Sequence, residues 1–198
     1  MLKFREFVAV SVSAFFVVLR FWNASKFFYP GAGAMMVFGL SELLAAGATC
    51  YSLRRGMVDC SLPGLFIPVL YMIPSMLSPW GCGPGLRAAA VVCVALCLVQ
   101  LGLRAWLGWR CTVGVPCFTG VTASGPYSLI RHPLALTEIL IVMAFLVALP
   151  SGWNLCVAGA SVVGSLVVVY FEESFLSQFP TYREYCGRVR SRLVPGVL

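Results

Sequence analysis

Long apolar segments recur along this chain and leave too few residues for a separate soluble domain. Apolar residues make up 60% of the 198 residues and charged residues only 11%, and the mean hydropathy of +0.92 lies far from that of soluble domains. At about 1.5 Å per helical residue, each segment can cross or nearly cross a bilayer. The sequence therefore predicts an all-α fold, a polytopic membrane helical bundle with five to six transmembrane helices. The segments are residues 6–22, 32–50, 62–78, 86–107, 133–149 and 153–171.

The first and third segments differ from the others. The first resembles a signal peptide, but no convincing small-residue cleavage site follows it and further segments come after, which favours a membrane helix. The third has prolines in or beside it, and each proline removes a backbone donor and crowds the preceding turn. We therefore expect the third segment to be kinked or broken. The prolines are Pro63, Pro68, Pro74 and Pro79.

Basic residues at the ends of the segments predict the orientation of the chain. Six crossings would place both termini on one side, and the positive-inside rule makes that side the cytosol, although Arg20 and Lys26 then fall on the opposite side. The sequence predicts a multi-pass protein of the endoplasmic reticulum membrane if it is eukaryotic, or of the cytoplasmic membrane if bacterial. The arginines on the cytosolic side are Arg54, Arg55, Arg104, Arg110, Arg131, Arg183, Arg188, Arg190 and Arg192.

Charge and cysteine content narrow the classes of function. The net charge of +7 comes from residues scattered at segment ends, which favours contact with a lipid bilayer over nucleic acid. The nine cysteines show no repeated close pairing with histidine, so we predict no metal site and interpret them as reduced apolar residues. Two disulfide pairs stay open, Cys50 with Cys60 and Cys111 with Cys117.

The last two apolar segments are joined by only Pro150-Ser151-Gly152, which predicts a tight antiparallel hairpin. Its two outer ends must emerge on the same face. Arg131 and His132, the only histidine of the chain, precede the hairpin, and Glu172-Glu173 follows it about 40 residues later. We expect these polar side chains to converge on one cytosolic pocket.

The same motifs resemble the isoprenylcysteine carboxyl methyltransferase family, which is related to the phospholipid methyltransferases. The resemblance covers about half of the chain, from Leu103 to Pro195. It divides the chain into N-terminal transmembrane helices, residues 1–107, and a methyltransferase-like core, residues 108–198. The matching positions are Leu107-Gly108, Ser124-Gly125-Pro126-Tyr127, Arg131-His132-Pro133, Glu172-Glu173, Phe179, Tyr182, Tyr185 and Val194-Pro195.

The resemblance implies methyl transfer from S-adenosylmethionine, bound in a cytosolic cofactor pocket, to a lipophilic acceptor that enters from the membrane. The acceptor would be the carboxylate of an isoprenylcysteine-like, prenylated substrate. Arg131 and Glu172 are the implied catalytic residues. The aromatic and basic tail after Glu172 is either an interfacial amphipathic helix, a cap over the pocket, or both. The implied cofactor contacts are Thr119, Gly120, Val121, Thr122, Tyr127, His132, Pro133, Leu134, Ala135 and Glu172.

The chain also departs from the family pattern. Ala135 and Thr137 stand where the family usually has an aromatic residue and a glycine, and Phe179-Pro180 replaces a Phe-Gly pair. Residues 167–171, just before Glu172, lack the arginine that meets the acceptor carboxylate in the family. Another cation, Arg131, Arg183 or Arg188, would have to supply that contact. The alternatives are a phospholipid N- or thiol S-methyltransferase, or a non-catalytic membrane scaffold that keeps the hairpin.

Overall fold

Four α-helices make up most of the described structure. A computed structural model describes residues 40, 57–58, 70, 73–77, 87–108, 117–118 and 120–196. The helices are α1 (Arg87–Leu107), α2 (Pro133–Ala148), α3 (Gly152–Leu176) and α4 (Pro180–Arg188), with 3-10 turns at Ile73–Met76 and Gly125–Ser128. The two-residue strands β1 (Met57–Val58) and β2 (Cys117–Phe118) pair antiparallel, Met57 opposite Phe118. The all-α prediction is confirmed for this part of the chain.

Helices α1 and α3 are long and apolar enough to cross a membrane by length and composition. The apolar stretch of α1 spans 20 residues, Ala88–Leu107, and α3 spans 25 residues, whereas the apolar helix α2 is shorter. Large apolar side chains on both long helices, such as Val91 and Val163, point away from the rest of the protein. These two helices indicate association with a membrane. The predicted segments at 6–22 and 32–50 lie outside the described residues, apart from Leu40.

Helices α1 and α2 pack antiparallel and form the centre of the core. The Cys93 thiol lies 3.8 Å from the carbonyl oxygen of Ile141, and the Thr137 hydroxyl lies 2.9 Å from Gln100 Oε1. Residue numbers therefore increase along α1 where they decrease along α2, which is an antiparallel arrangement. The buried cluster at this contact consists of Leu77, Cys93, Cys97, Ile141, Val142, Phe145, Leu149, Val157 and Ala158.

The described cysteine side chains are not in disulfides. Cys93 and Cys97 are buried thiols in the core, Cys156 is exposed on α3, and Cys186 is half-buried on α4. This agrees with the interpretation of the cysteines as reduced side chains for these four positions. The two pairs left open by the sequence lie outside the residues whose side chains the structure describes.

A short polar turn joins α2 to α3 as predicted. Ser151 caps α3, because its hydroxyl accepts a hydrogen bond from the Asn154 backbone N–H at 3.0 Å. The buried Asn154 amide donates to the Leu149 carbonyl at 2.7 Å, satisfying the last turn of α2. Both helix ends at the turn thus have partners, and the hairpin returns α3 to the face from which α2 starts.

The third apolar segment contains a 3-10 turn, and α3 packs on it through a glycine. Ile73–Met76 is a 3-10 turn that includes Pro74, in line with the expected break. A Cβ atom added at Gly164 would lie 3.4 Å from Ile73 Cδ1 and 3.7 Å from Leu70 Cβ. A small residue therefore allows close approach at this contact, as is common between membrane helices.

Replacement of Gly164 by leucine should destabilise the bundle. The larger side chain has to displace Ile73 and Leu70, and overpacking of this kind costs about 1–3 kcal/mol. The Gly159→Leu variant is the matched control, because nothing in the described structure lies within 4 Å of a Cβ at that position. Thermal unfolding in detergent should show a lower midpoint for Gly164→Leu alone. Equal midpoints for the two variants would contradict the packing of α3 on the 3-10 turn.

Candidate functional site

The segment that starts α2 is bound to the C-terminal tail through its backbone. The Arg131 N–H donates to the Ser191 carbonyl and the His132 N–H to the Arg192 carbonyl, both at 3.0 Å. Pro133 then opens α2, where its missing N–H has no cost because first-turn donors lack intrahelical partners. His132 is buried at this junction, so its imidazole position is set by both the helix start and the tail.

Glu173 is the centre of the polar cluster. One carboxylate oxygen lies 2.9 Å from an Arg131 guanidinium nitrogen and 3.1 Å from His132 Nε2, and the other lies 2.9 Å from Arg192 Nε. The Glu173 side chain is only 12% exposed. Since water screens such a group poorly, these charge-assisted contacts hold the end of α3, the start of α2 and the tail together.

Glu172 occupies a different position on the same cluster. Its carboxylate oxygen lies 3.7 Å from His132 Nδ1, and its side chain is 35% exposed. This contact is longer than a hydrogen bond, so Glu172 has carboxylate surface left for another molecule. The structure therefore brings His132 and Glu172 together, as the hairpin prediction requires.

Arg131 connects α3, α4 and the segment after α4. One guanidinium nitrogen contacts Glu173 and lies 3.3 Å from the Cys186 sulfur, and another donates to the Arg190 carbonyl at 3.0 Å. Burial lowers the pKa of Arg131, but the contacts with Cys186 and Glu173 outweigh it and raise the pKa above its ordinary value. Arg131 thus stays charged, and most of its donors face the protein itself.

Helix α4 lies against the loop that precedes the polar cluster. The buried Tyr182, Tyr185 and Val189 pack with Val121, and the Tyr185 hydroxyl donates to the Tyr127 carbonyl at 2.7 Å. Burial, followed by the nearby Cys186, raises the pKa of Tyr185 to about 12, so it is a hydrogen-bond donor at neutral pH. Phe118 also stacks on Phe179, with ring centroids 4.0 Å apart. The tail therefore covers the loop as well as the hairpin end.

The remaining predicted cofactor contacts lie around this junction. Gly120 is exposed with φ +124°, a conformation that favours glycine, and Thr122 is half-buried. Tyr127 is half-buried and its ring lies 6.4 Å from that of Trp106. In the first turn of α2, Pro133 is buried while Leu134 and Ala135 are half-buried. Thr119 lies outside the described residues.

Three participants in this junction were not among the predicted catalytic residues or cofactor contacts. Glu173 makes the closest contacts to Arg131 and His132, Arg192 closes the cluster, and the Tyr185 hydroxyl ties α4 to Tyr127. The adjacent acidic pair was a visible signal for Glu173. Within the described ranges, no three His, Cys, Asp or Glu side chains are placed to hold a metal ion.

Loss of the Glu173 charge should release the tail from the hairpin. In Glu173→Gln, Arg131 and Arg192 lose their shared counter-ion, which should cost about 1–3 kcal/mol. Limited trypsin digestion in detergent should cleave the tail arginines several times faster than in the wild type. Glu172→Gln is the matched control, because among the described residues its carboxylate makes only the 3.7 Å contact with His132. Faster cleavage in Glu172→Gln than in Glu173→Gln would overturn the assignment of Glu173 as the centre.

Two tyrosine-to-phenylalanine changes should differ in their effect on stability. Tyr185→Phe removes the bond to Tyr127 and should cost about 1 kcal/mol, whereas the buried Tyr182 hydroxyl has no hydrogen-bond partner among the described residues and Tyr182→Phe should cost little. The pKa of Tyr185 in the folded protein, about 12, exceeds the ordinary value of 10.0. The contribution of the neutral Tyr185 hydroxyl to the free energy of unfolding is therefore fully present below pH 10 and is lost as the pH rises toward 12. Thermal unfolding at pH 7 and pH 11 measures both effects. A larger loss in Tyr182→Phe at pH 7 would contradict this view.

The chain was also compared with families and proteins already described. No protein-family model matches it, and no curated protein matches it. A functional assignment therefore has to come from the chain's own residues: the Arg131-His132-Pro133 motif, the Glu172-Glu173 pair and the geometry that joins them.

Proposed function

We propose that this protein is an integral membrane methyltransferase that uses S-adenosylmethionine and modifies a lipophilic acceptor. The observation that carries the proposal is the approach of Glu172 to His132, 3.7 Å apart, at the outer end of an apolar hairpin. These two residues lie in the two motifs that resemble the isoprenylcysteine carboxyl methyltransferase family. Glu172 keeps carboxylate surface that a ligand can reach, whereas Glu173 is used by the fold.

The chemistry of the side chains suits this cofactor. S-adenosylmethionine supplies an electrophilic methyl group on a positively charged sulfur and carries a carboxylate, an amino group and ribose hydroxyls. Glu172 can accept from the ammonium or the hydroxyls, and the N–H groups of Gly120 and Val121 can donate to the carboxylate. The protein's main contribution to such an in-line displacement is alignment of donor and acceptor and exclusion of water. Arg131 then acts by positioning His132 and the tail.

The membrane setting completes the proposal. We place five to six transmembrane helices in the bilayer with both termini in the cytosol, so that the polar cluster lies at the cytosolic face. The membrane is the endoplasmic reticulum in a eukaryote or the cytoplasmic membrane in a bacterium. An isoprenylcysteine-like acceptor would keep its prenyl chain among the apolar helices while its carboxylate reaches the cofactor. Helix α4 would lie at the interface and cap the cofactor pocket.

The first experiment is calorimetric titration of S-adenosylmethionine and S-adenosylhomocysteine into detergent-purified protein. We expect the wild type to bind both, and His132→Ala and Glu172→Ala to lose at least tenfold in affinity, since each removes a polar contact of the proposed site. Glu184→Ala is the matched carboxylate control, because Glu184 is exposed on α4 and makes none of the described contacts of the cluster. Its affinity should equal that of the wild type.

The titration also separates the alternatives. A well-folded wild type that binds neither compound sinks the methyltransferase proposal and favours the membrane scaffold. If both variants bind the cofactor as tightly as the wild type, the cofactor does not bind at His132 and Glu172, and the proposed site is wrong. Where binding is found, acceptor assays with prenylcysteine, phospholipid and thiol compounds distinguish carboxyl, N- and S-methylation.

A further inference from the structure

Tyr182 has a buried hydroxyl that the described contacts of the fold do not use. The residue lies on α4 and is 6% exposed, and its hydroxyl has no hydrogen-bond partner among the described residues. Tyr185, three residues later on α4, is also buried, yet its hydroxyl donates to the Tyr127 carbonyl at 2.7 Å. A buried donor without a partner has a free-energy cost, and phenylalanine would fill the same place without it. The Tyr182 hydroxyl therefore calls for an explanation other than packing.

The side of α4 that carries Tyr182 lies against the proposed cofactor contacts. The buried cluster that contains Tyr182 packs on Val121, in the loop of those contacts, and on Leu176, the last residue of α3. Glu172 precedes Leu176 by four residues, so the two lie about one turn apart on one side of α3. Tyr182 thus lies in the layer between α4 and both parts of the proposed site.

The charges around Tyr182 place its hydroxyl near the glutamates at the end of α3. Burial raises the pKa of Tyr182 well above its ordinary value, and the carboxylate of Glu173 raises it further. Cys186 and Glu172 act in the same direction, whereas Arg131 lowers the pKa of Tyr182. Charges shift a pKa in this way only when they lie close to the group, so the hydroxyl is near both carboxylates. It stays protonated at neutral pH and is available as a donor.

The Arg131 side chain supplies a second buried donor without a partner. Its Nε atom has no hydrogen-bond partner in the part of the chain that the structure describes, although the terminal nitrogens of the same guanidinium contact protein groups. Cys186 brings the two donors together, because its sulfur lies 3.3 Å from the guanidinium and it follows Tyr182 by about one turn of α4. A phenol O–H and a charged N–H in one buried cluster suit an anionic acceptor.

We propose that the Tyr182 hydroxyl and Arg131 Nε donate to the carboxylate of S-adenosylmethionine. The inference rests on the proposed function and adds two donors to the contacts of the cofactor. The ammonium and the carboxylate of this cofactor are attached to the same carbon, so a carboxylate held by these donors keeps the ammonium within reach of Glu172. A carboxylate accepts about four hydrogen bonds, which leaves room for the N–H groups of Gly120 and Val121. Helix α4 then binds the cofactor directly, in addition to covering the loop.

The test compares two ligands that differ by this carboxylate. S-adenosylmethionine and decarboxylated S-adenosylmethionine, which keeps the sulfonium, the amine and the adenosine, are titrated calorimetrically into detergent-purified full-length protein. The wild type should bind the first compound roughly 10- to 100-fold more tightly, as expected for charge-assisted hydrogen bonds. Tyr182→Phe should lose roughly tenfold in affinity for S-adenosylmethionine and keep the wild-type affinity for the decarboxylated compound.

Two further variants complete the comparison. Tyr185→Phe is the matched control, because it makes the same chemical change on a hydroxyl whose partner is a protein carbonyl, and it should keep the wild-type ratio of the two affinities. Arg131→Lys keeps a positive charge beside Glu173 but lacks the Nε–H donor, so it should also lose part of the preference for the carboxylate. Wild-type affinity for the decarboxylated compound shows that a variant is folded.

The outcomes separate this inference from the proposed function. A wild type without a preference for S-adenosylmethionine overturns the inference, as does a Tyr182→Phe variant that loses both ligands equally, which would mean a structural role for the hydroxyl. Binding of S-adenosylmethionine with an unchanged ratio in Tyr182→Phe refutes this inference alone and leaves an internal water as the partner of the hydroxyl. Failure of the wild type to bind either compound refutes the proposed function, and this inference with it.

Discussion

The carboxylate of Glu173 is the contact on which the arrangement of the described structure depends. It lies within 3.1 Å of groups on Arg131, His132 and Arg192, which come from the start of α2 and from the tail. A single carboxylate thus contacts two guanidinium groups and orients the only histidine. Because Glu173, Arg131 and His132 are largely shielded from water, the contacts among these three side chains are stronger than the same contacts on an open surface.

This cluster also gathers polar groups at one end of an apolar hairpin. Helices α2 and α3 have few polar side chains of their own, and their outer faces are apolar. The hairpin turn, with Ser151 and Asn154 satisfying the helix ends, returns both chains to one face. Under the proposed function, the polar groups concentrated there would bind a water-soluble cofactor, and the apolar faces would contact a lipophilic acceptor. Charged groups lie at the end of the hairpin and apolar groups along its helices because burial of charge costs least at the helix ends.

Much of the described part of the fold was predictable because apolar segment length is a strong local signal. The predicted segments 86–107 and 133–149 correspond closely to α1 and α2, and α3 runs five residues past the predicted end at residue 171. That extension was missed because charged residues at a helix end lower the apolar signal while the helix itself continues. The proximity of His132 and Glu172 was also predictable, since a three-residue link forces an antiparallel hairpin.

The sequence by itself determined the helical class, the hairpin and the set of polar residues at its outer end, because these depend on local composition and on the length of one turn. Only the tertiary structure decided which glutamate carries the fold and which keeps exposed surface. That choice depends on the rotation of α3 relative to α2 and on the docking of the tail against both. The same packing decided that Gln100 faces α2, since its position on one helix says nothing about which neighbour that face contacts.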